Sequence, residues 1–562
     1  MSSLNPGLIL ILGALPVPLL PHALRRFYLL ALPVIGFAMV HNLENGTSVT
    51  IDTMGMTLEL LRVDGLSKVW GYIFYIAAFL SMLFAWHIKD TMQQASALVY
   101  AGAAIGAVFA GDLVTLFVYW ELTAISSVFL IWATRTQRAY KTGMRYLLIQ
   151  VGSGVILLAG ILIWYTETGS IAFGHIGIES LAGKLILIAF GIKCAFPLLH
   201  NWLQDAYPEA TVTGTVVLSA FTTKLAVYAL ARGYAGTEML IYVGATMTAF
   251  PIFFAVIEND LRRVLAYSLN NQLGFMVVGI GIGTELSLNG TASHAFSHIL
   301  YKALLFMSMG AVLFRTGTCK GSELGGLYKS MPWTTGFCVI GAASISAFPL
   351  FSGFISKSMI LTAVADDHRW FIWAMLLFAS AGVFHHSGIK IPYFAFFAHD
   401  SGRRVKEAPW NMLLAMGITA FLCVFIGVYP TALYDILPFK VDYNPYTTTH
   451  VVGQLQLLMF SALAFTVLMV YKIYPPELKS TNLDTDWFYR KLFPCILRYL
   501  GGSIDRLDRA IRVEALTVLK DFFGIVERQH GRGSHLSGTL QAGSMALVVL
   551  SVLFIFLLIA VF

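Results

Sequence analysis

Residues 112–133 read DLVTLFVYWELTAISSVFLIWA, an apolar run whose only charge past its start is Glu121. Nine helical residues at ~1.5 Å each carry Glu121 roughly 13 Å beyond Asp112, near the centre of a ~30 Å hydrocarbon slab. Working outward, four further apolar spans each hold one lone lysine near the middle: Lys193, Lys224, Lys302 and Lys357. Lys224 is the only charge between Glu209 and Arg232, and Lys302 the only one between Glu285 and Arg315. Insertion costs about 2.5–3.5 kcal/mol for each such residue, so five facing lipid would cost on the order of 15 kcal/mol. Their retention places them on a polar interior path, which implies a charge-conducting membrane protein.

Composition agrees. The chain has 562 residues, 57% of them hydrophobic and 12% charged, with a mean hydropathy of +0.74. Ordinary soluble domains are about 25% charged, so a soluble globule is excluded. The formal charge of +7 sits in short loops, the signature of membrane orientation and not of nucleic-acid binding. The five cysteines, Cys194, Cys319, Cys338, Cys423 and Cys495, show no metal spacing and read as small apolar residues. No phosphate-binding glycine loop, haem motif or dinucleotide fingerprint occurs, so no cofactor is expected. The N-terminal apolar stretch lacks a basic region and a small-residue cleavage site, and reads as a retained first helix.

Apolar runs and turn signals predict an all-α integral membrane fold with about sixteen transmembrane helices, beginning with a span at 6–21. Residues 1–92 hold the N-terminal helices and, over 44–64, an external hairpin of alternating polar and β-branched residues. Residues 93–232 and 237–398 form two half-channel repeats, and 409–472 further helices. Residues 475–540 form an amphipathic segment and 541–562 a terminal span. Basic loops at Arg25/Arg26, at Arg135, Arg138, Lys141 and Arg145, at Arg262/Arg263, at Arg315, Lys320 and Lys329, and at Arg403, Arg404 and Lys406 follow odd-numbered spans. This predicts cytoplasmic loops there and an N-terminus outside. Pro197 in AFPLLHNW and Pro349 in AFPLFSGF fall where helices should run through, so both helices should break mid-membrane. Matching broken helices, with a lysine near each, fit two inverted five-helix repeats. Between Ile504 and Val526 apolar residues recur every three or four positions, an interfacial helix some 33 Å long.

Several segments resemble the proton-pumping subunits shared by respiratory complex I, membrane-bound hydrogenases and multisubunit (Mrp-type) cation/proton antiporters. They are GDLVTLFVYWEL around Glu121, GIKCAFPLLHNWLQDAYPEA around Lys193, FTTKLAVYALAR around Lys224, and DLRRVLAYSLNNQLGF at 260–275. HAFSHILYKALLFMSMG around His294, His298 and Lys302, and AFPLFSGFISKSMIL around Lys357, follow in the family's order. The resemblance implies a Glu121–Lys193 pair in the first half-channel and Lys224 as the connecting lysine. It implies a relay through His294, His298 and Lys302, with Lys357 as the terminal lysine of the second half-channel. Lysines on spans eight and twelve resemble the antiporter D-type subunit.

Elementary electrostatics supports such roles. Removal from water disfavours a lysine's charged form, and a nearby carboxylate restores it, so opening and closing an ion pair can drive a proton switch. The bland alternatives remain: structural buried ion pairs for the charges, and satisfied core histidines for His294 and His298. The i, i+4 spacing of those histidines is also a metal spacing, but no third ligand accompanies it. Lys390, preceded by His385 and His386, reads equally as an exit residue or a snorkelling lysine. Lys68, four residues after Asp64, reads as structural.

The expected function is proton translocation within a multisubunit Na+/H+ antiporter of a bacterial inner membrane. The partners would be other membrane subunits, lipid, H+ and Na+, with no nucleic acid, no metal and no covalent catalysis by this chain. The alternatives are a pump subunit of a complex I-like NADH:quinone oxidoreductase or a membrane hydrogenase, or the energising subunit of an inorganic-carbon uptake complex. The amphipathic helix yields a first prediction. Each large apolar side chain it buries contributes about 1.5–3 kcal/mol, so Phe522→Asp with Ile511→Asp should dissociate the assembly on native gels, and transport should fall in proportion to intact complex. An intact but inactive assembly would make the helix a coupling element instead.

Overall fold

A computed structural model of the chain describes residues 4–53, 55–475, 482, 484–531 and 542–561. These form two units, Met1–Asn482 and Leu483–Phe562. The first unit opens with helices α1 (Gly7–Gly13) and α2 (His22–Asn42), strands β1 (Ser48–Thr53) and β2 (Met56–Arg62), and α3 (Gly65–Phe84). The strands make an antiparallel hairpin pairing Ser48 with Arg62 and Thr53 with Met56. Next come α4 (Thr91–Val108), α5 (Leu113–Trp132), α6 (Gln137–Thr168), α7 (Leu181–Cys194), α8 (Asn201–Ala206), α9 (Val212–Ala220) and α10 (Thr222–Gly233). The second run is α11 (Met239–Ile257), α12 (Leu261–Ile282), α13 (Glu285–Thr316), α14 (Pro332–Ile345), α15 (Ser352–Asp366) and α16 (Trp370–Val383). A π-helical turn, Phe384–Lys390, continues α16. Helices α17 (Trp410–Val428), α18 (Thr431–Tyr434) and α19 (Thr448–Val470) end the unit.

Local chemistry sets most of these ends. Asp64 and Ser67 form a reciprocal capping box at α3, satisfying N–H groups that have no partner inside the helix. Asp112 caps α5 and Asp260 caps α12, and each makes an isolated antiparallel bridge, to Ala172 and to Lys320. Helices α6 and α13 are both 32 residues long. Thr136 and Thr284 cap them, and Gly169 (φ 67°) and Gly317 (φ 76°) close them in the left-handed region that glycine adopts without steric cost.

The two AFPL segments repeat in backbone detail. Ala195 (φ 61°) and Leu198 (φ 71°) match Ala347 (φ 57°) and Leu350 (φ 75°). Phe196 N–H reaches back to Gly191 O and Phe348 N–H to Ala343 O, five residues in each case. Left-handed Ala and Leu cost on the order of 1–2 kcal/mol per residue, so two identical breaks mark a repeated unit. The lysines do not follow the repeat. Lys193 precedes its break on α7, whereas Lys357 follows its break on α15.

Eleven helices among the described residues are long and apolar enough to cross a membrane. The five other expected spans are not continuous apolar helices of that kind. Helices α7 and α14 stop at the breaks. Helices α4 and α12 carry Gln93 and Gln94, and Asn270, Asn271 and Gln272. The expected span at 6–21 is corrected: α1 is seven residues long, and Pro16, Pro18 and Pro21 follow it without the donors a helix needs. The α9–α10 span is buried throughout and α13 nearly so, while most of α6 and α19 is not buried. Charges on α10 and α13 therefore meet protein and not lipid.

In the second unit, α20 runs Phe493–His530 and α21 runs Ala542–Val561. Helix α20 extends the expected 504–526 at both ends, and its Ile504, Leu507, Ile511 and Phe522 are exposed.

Arg262 joins the two repeats. Buried at the start of α12, it donates to the carbonyls of Tyr207 (3.3 Å), Pro208 (2.9 Å) and Ala210 (3.0 Å) and to the Thr215 hydroxyl. Hydrogen bonds to charged groups contribute about 1.5–3 kcal/mol each. Arg262→Met should therefore destabilise the protein by roughly 3 kcal/mol or more and lower its melting temperature in detergent. An unchanged melt would show that the loop holds without it.

Candidate ion-conducting axis

Lys193, Lys224, His294, His298, Lys302, Lys357 and Lys390 are all buried, and Glu121 is half-buried. Helix ends position several of them. Lys224 Nζ donates to Ser219 O (2.6 Å), a carbonyl at the end of α9. Lys357 Nζ donates to Ile345 O (3.1 Å), the last residue of α14 before its break. Lys390 Nζ donates to Ala255 O (3.2 Å), Val256 O (2.7 Å) and Glu258 O (2.6 Å) at the end of α11. Helix C-terminal carbonyls lack intrahelical partners and carry the negative end of the dipole, which suits them to hold an ammonium.

In the first repeat, Lys193 Nζ donates to Trp120 O (2.5 Å) and Thr123 Oγ1 (2.9 Å) and lies 4.4 Å from the centre of the Trp120 ring. Trp120 is fixed by its bond to Ser153 Oγ (3.1 Å), which donates to Ala189 O (2.8 Å) and so pins α5, α6 and α7 together. Lys193 and Glu121 interact electrostatically, yet Glu121 Oε1 has no hydrogen-bond partner among the described residues. The carboxylate instead lies against Gly154 of α6, where a Cβ would collide with Oε1. Counted from the caps Thr136 and Thr284, Tyr146, Gln150 and Gly154 of α6 stand where His294, His298 and Lys302 stand in α13. Glu121 thus reaches the spot in the first repeat that carries Lys302 in the second.

In the second repeat, His294 Nδ1 meets Ser356 Oγ (3.1 Å), next to Lys357, and its Nε2 lies 3.4 Å from the Tyr301 hydroxyl. The Tyr301 hydroxyl donates to Gln272 Oε1 (3.1 Å). The rings of His294 and His298 lie nearly parallel, with centres 6.2 Å apart. Both nitrogens of His298 and the Lys302 ammonium have no hydrogen-bond partner among the described residues. His298 interacts electrostatically with Lys224, Lys302, His294 and Lys357, and Lys302 with Lys224. The structure therefore brings Lys224, Lys302, both histidines and Lys357 into one buried cluster, with Glu121 and Lys193 forming a second on α5 and α7.

Sequence reasoning passed over the neutral lining. Gln150, Gln204, Thr223, Asn270 and Ser297 are buried and have side-chain polar atoms with no partner among the described residues. Each such atom costs about 1–3 kcal/mol unless water meets it. Their only sequence signal is a polar residue inside an apolar helix, which capping and packing residues share. Lys68 bonds Leu43 O (2.8 Å), while Asp64 pairs with Arg232 (2.8 Å).

A multi-pass, broken-helix membrane protein with buried lysines on its axis is the class that this fold and site define. The family described as NADH:quinone oxidoreductase/Mrp antiporter, transmembrane, matches residues 110–383, which include every candidate residue except Lys390. The N subunit of the NADH-quinone oxidoreductase of Desulforudis audaxviator is 31% identical over 59% of this chain and 72% of its own length. The D subunit of the Na(+)/H(+) antiporter of Alkalihalophilus pseudofirmus is 30% identical over 48% of this chain and 59% of its own, so the match spans less than two thirds of that relative. The Mrp complex of Dietzia sp. contains a chain of the same fold, with TM-score 0.78 and 24% identity, over 93% of this chain and 62% of that one. The chain belongs to this family of complex I and Mrp antiporter membrane proteins.

The Glu121–Gly154 contact carries a prediction. Gly154→Ala should reduce proton flux at least tenfold in vesicles with the assembly intact on native gels. Adding Glu121→Asp, one methylene shorter, should restore part of it. Full flux in Gly154→Ala would mean that Glu121 does not use this niche.

Proposed function

We propose that the chain translocates protons as the D-type component of a multisubunit Na+/H+ antiporter in a bacterial plasma membrane. Protons pass along Glu121, Lys193, Lys224, Lys302, His298, His294 and Lys357. The observation that carries this reading is the set of buried lysines, Lys193, Lys224, Lys302 and Lys357, which donate to carbonyl and hydroxyl oxygens or, for Lys302, have no hydrogen-bond partner among the described residues. A lysine tied to a carboxylate stays charged, whereas one donating to a carbonyl keeps an N–H donor in either protonation state. Such a residue can gain and lose a proton without stranding its partner. The ring nitrogens of His298, without hydrogen-bond partners among the described residues, and the neutral polar lining support a hydrated relay between the lysines. Moving one charge across the membrane potential is worth ~2.3 kcal/mol per 100 mV, a force that a shifting ion pair can match.

A second reading, a pump component of a redox-driven quinone oxidoreductase, rests on the 31% identity to a relative of that kind. Sodium-dependent, ΔpH-driven exchange in vesicles of the assembled complex would favour the antiporter. Quinone-dependent acidification would favour the pump.

The proton path itself is tested by substitution. Glu121→Ala should remove most ΔpH-driven transport while the protein still inserts. Lys357→Ala should be severe, and Lys357→Arg also impaired, since arginine stays protonated at physiological pH. Near-normal exchange in Glu121→Ala, or full activity in Lys357→Arg, would contradict the relay.

A further inference from the structure

The segment FHHSGIK, residues 384–390, lies just past the family-matched region and has no part in the relay above. It is π-helical, a rare wide turn that recurs at functional sites. The turn presses against the break that follows α14. A Cβ on Gly388 would collide with Ser346 Oγ, the residue after the Ile345 carbonyl that holds Lys357.

His386 is fully buried in this turn. Its Nδ1 meets Ser387 Oγ (2.9 Å), which donates to Ser268 Oγ (2.7 Å) on α12. Its Nε2 has no hydrogen-bond partner among the described residues. The charged and titratable groups within its electrostatic reach are Lys302, Lys357, His385 and Lys390. Half-buried His385, next in the chain, packs against a residue that lines an open cavity. Its ring lies 5.5 Å from that of Tyr474 and 5.2 Å from that of Phe465. Tyr474 lines a cavity of about 500 Å³ together with Ser322, Phe394, His399 and Lys472.

We infer that His386 is a further proton-relay residue, linking Lys357 through the π turn and His385 to this cavity as a port of the second half-channel. Imidazole takes a proton at one ring nitrogen and releases one from the other, so the ring passes charge without net change. The Ser387 and Ser268 hydroxyls orient the Nδ1 side of the ring. Lys390, held by three carbonyls at the end of α11, anchors the turn. This inference rests on the proposed proton path through Lys357.

The test uses the assembled complex in vesicles and reads proton flux against pH, with Lys357→Ala as the control. His386→Gln keeps a polar side chain of similar size but cannot relay, and should lower flux at least tenfold with assembly unchanged. His386→Ala should be equally poor and should regain at least a third of the flux when imidazole is added, which a merely structural role would not produce. Where neither variant assembles, Ser268→Ala, which leaves the π turn intact, should lower flux at least threefold and shift its pH profile. A dead Lys357→Ala with wild-type flux and pH profile in His386→Gln, no rescue by imidazole, or a silent Ser268→Ala, would overturn the port alone. Full flux in Lys357→Ala would overturn the underlying path.

Discussion

Holding positive charge in the buried interior of the protein is the constraint on which this structure depends. Ion-sized charges pay several kcal/mol each when buried, and among the described residues Lys193, Lys224 and Lys357 donate to carbonyl and hydroxyl oxygens in place of carboxylates. The chain meets much of the cost at helix ends. The end of α9 supplies Ser219 O to Lys224, the end of α14 supplies Ile345 O to Lys357, and the end of α11 supplies three carbonyls to Lys390. Each such end exposes acceptors that a continuing helix would spend on itself. The strained Ala and Leu residues of the AFPL segments are part of the same arrangement.

The rim follows the opposite rule. Arg145 grips Asp205 at 2.7 Å, Arg138 meets Glu209 at 2.7 Å, and Arg404 and Lys329 both bind Asp400. Those two cations hold the Asp400 carboxyl well below the usual carboxylate range. Formal pairs lock charge in place. They suit loops that fix the ends of helices, and would stall groups that must change charge.

The two repeats share a backbone and differ in chemistry. Caps at Asp112 and Asp260, 32-residue helices α6 and α13, and identical breaks place equivalent positions in equivalent surroundings. Yet α13 carries His294, His298 and Lys302 where α6 carries Tyr146, Gln150 and Gly154, and the first repeat gets its charge from Glu121 on a neighbouring helix. The bare Cα of Gly154 makes that substitution of one helix's charge for another's sterically feasible.

Much of this was legible in the chain. Lone charges in apolar runs, the paired AFPL prolines and the alternating residues of 44–64 give the membrane class, the breaks and the hairpin, because each depends on local hydropathy or on a missing N–H. Other features were not legible. The seven-residue α1 needed three prolines to be weighed against an apolar run, and the placement of Lys193 before its break and Lys357 after it contradicts simple repeat symmetry. Which carbonyl holds which lysine, the niche at Gly154 and the packing of the π turn against Ser346 join residues far apart in sequence. The sequence by itself determined that charge must lie inside the membrane span, since transfer costs are set by composition. Only the tertiary structure decided what each charge touches, because those partners are backbone atoms that every residue has and no side-chain pattern marks.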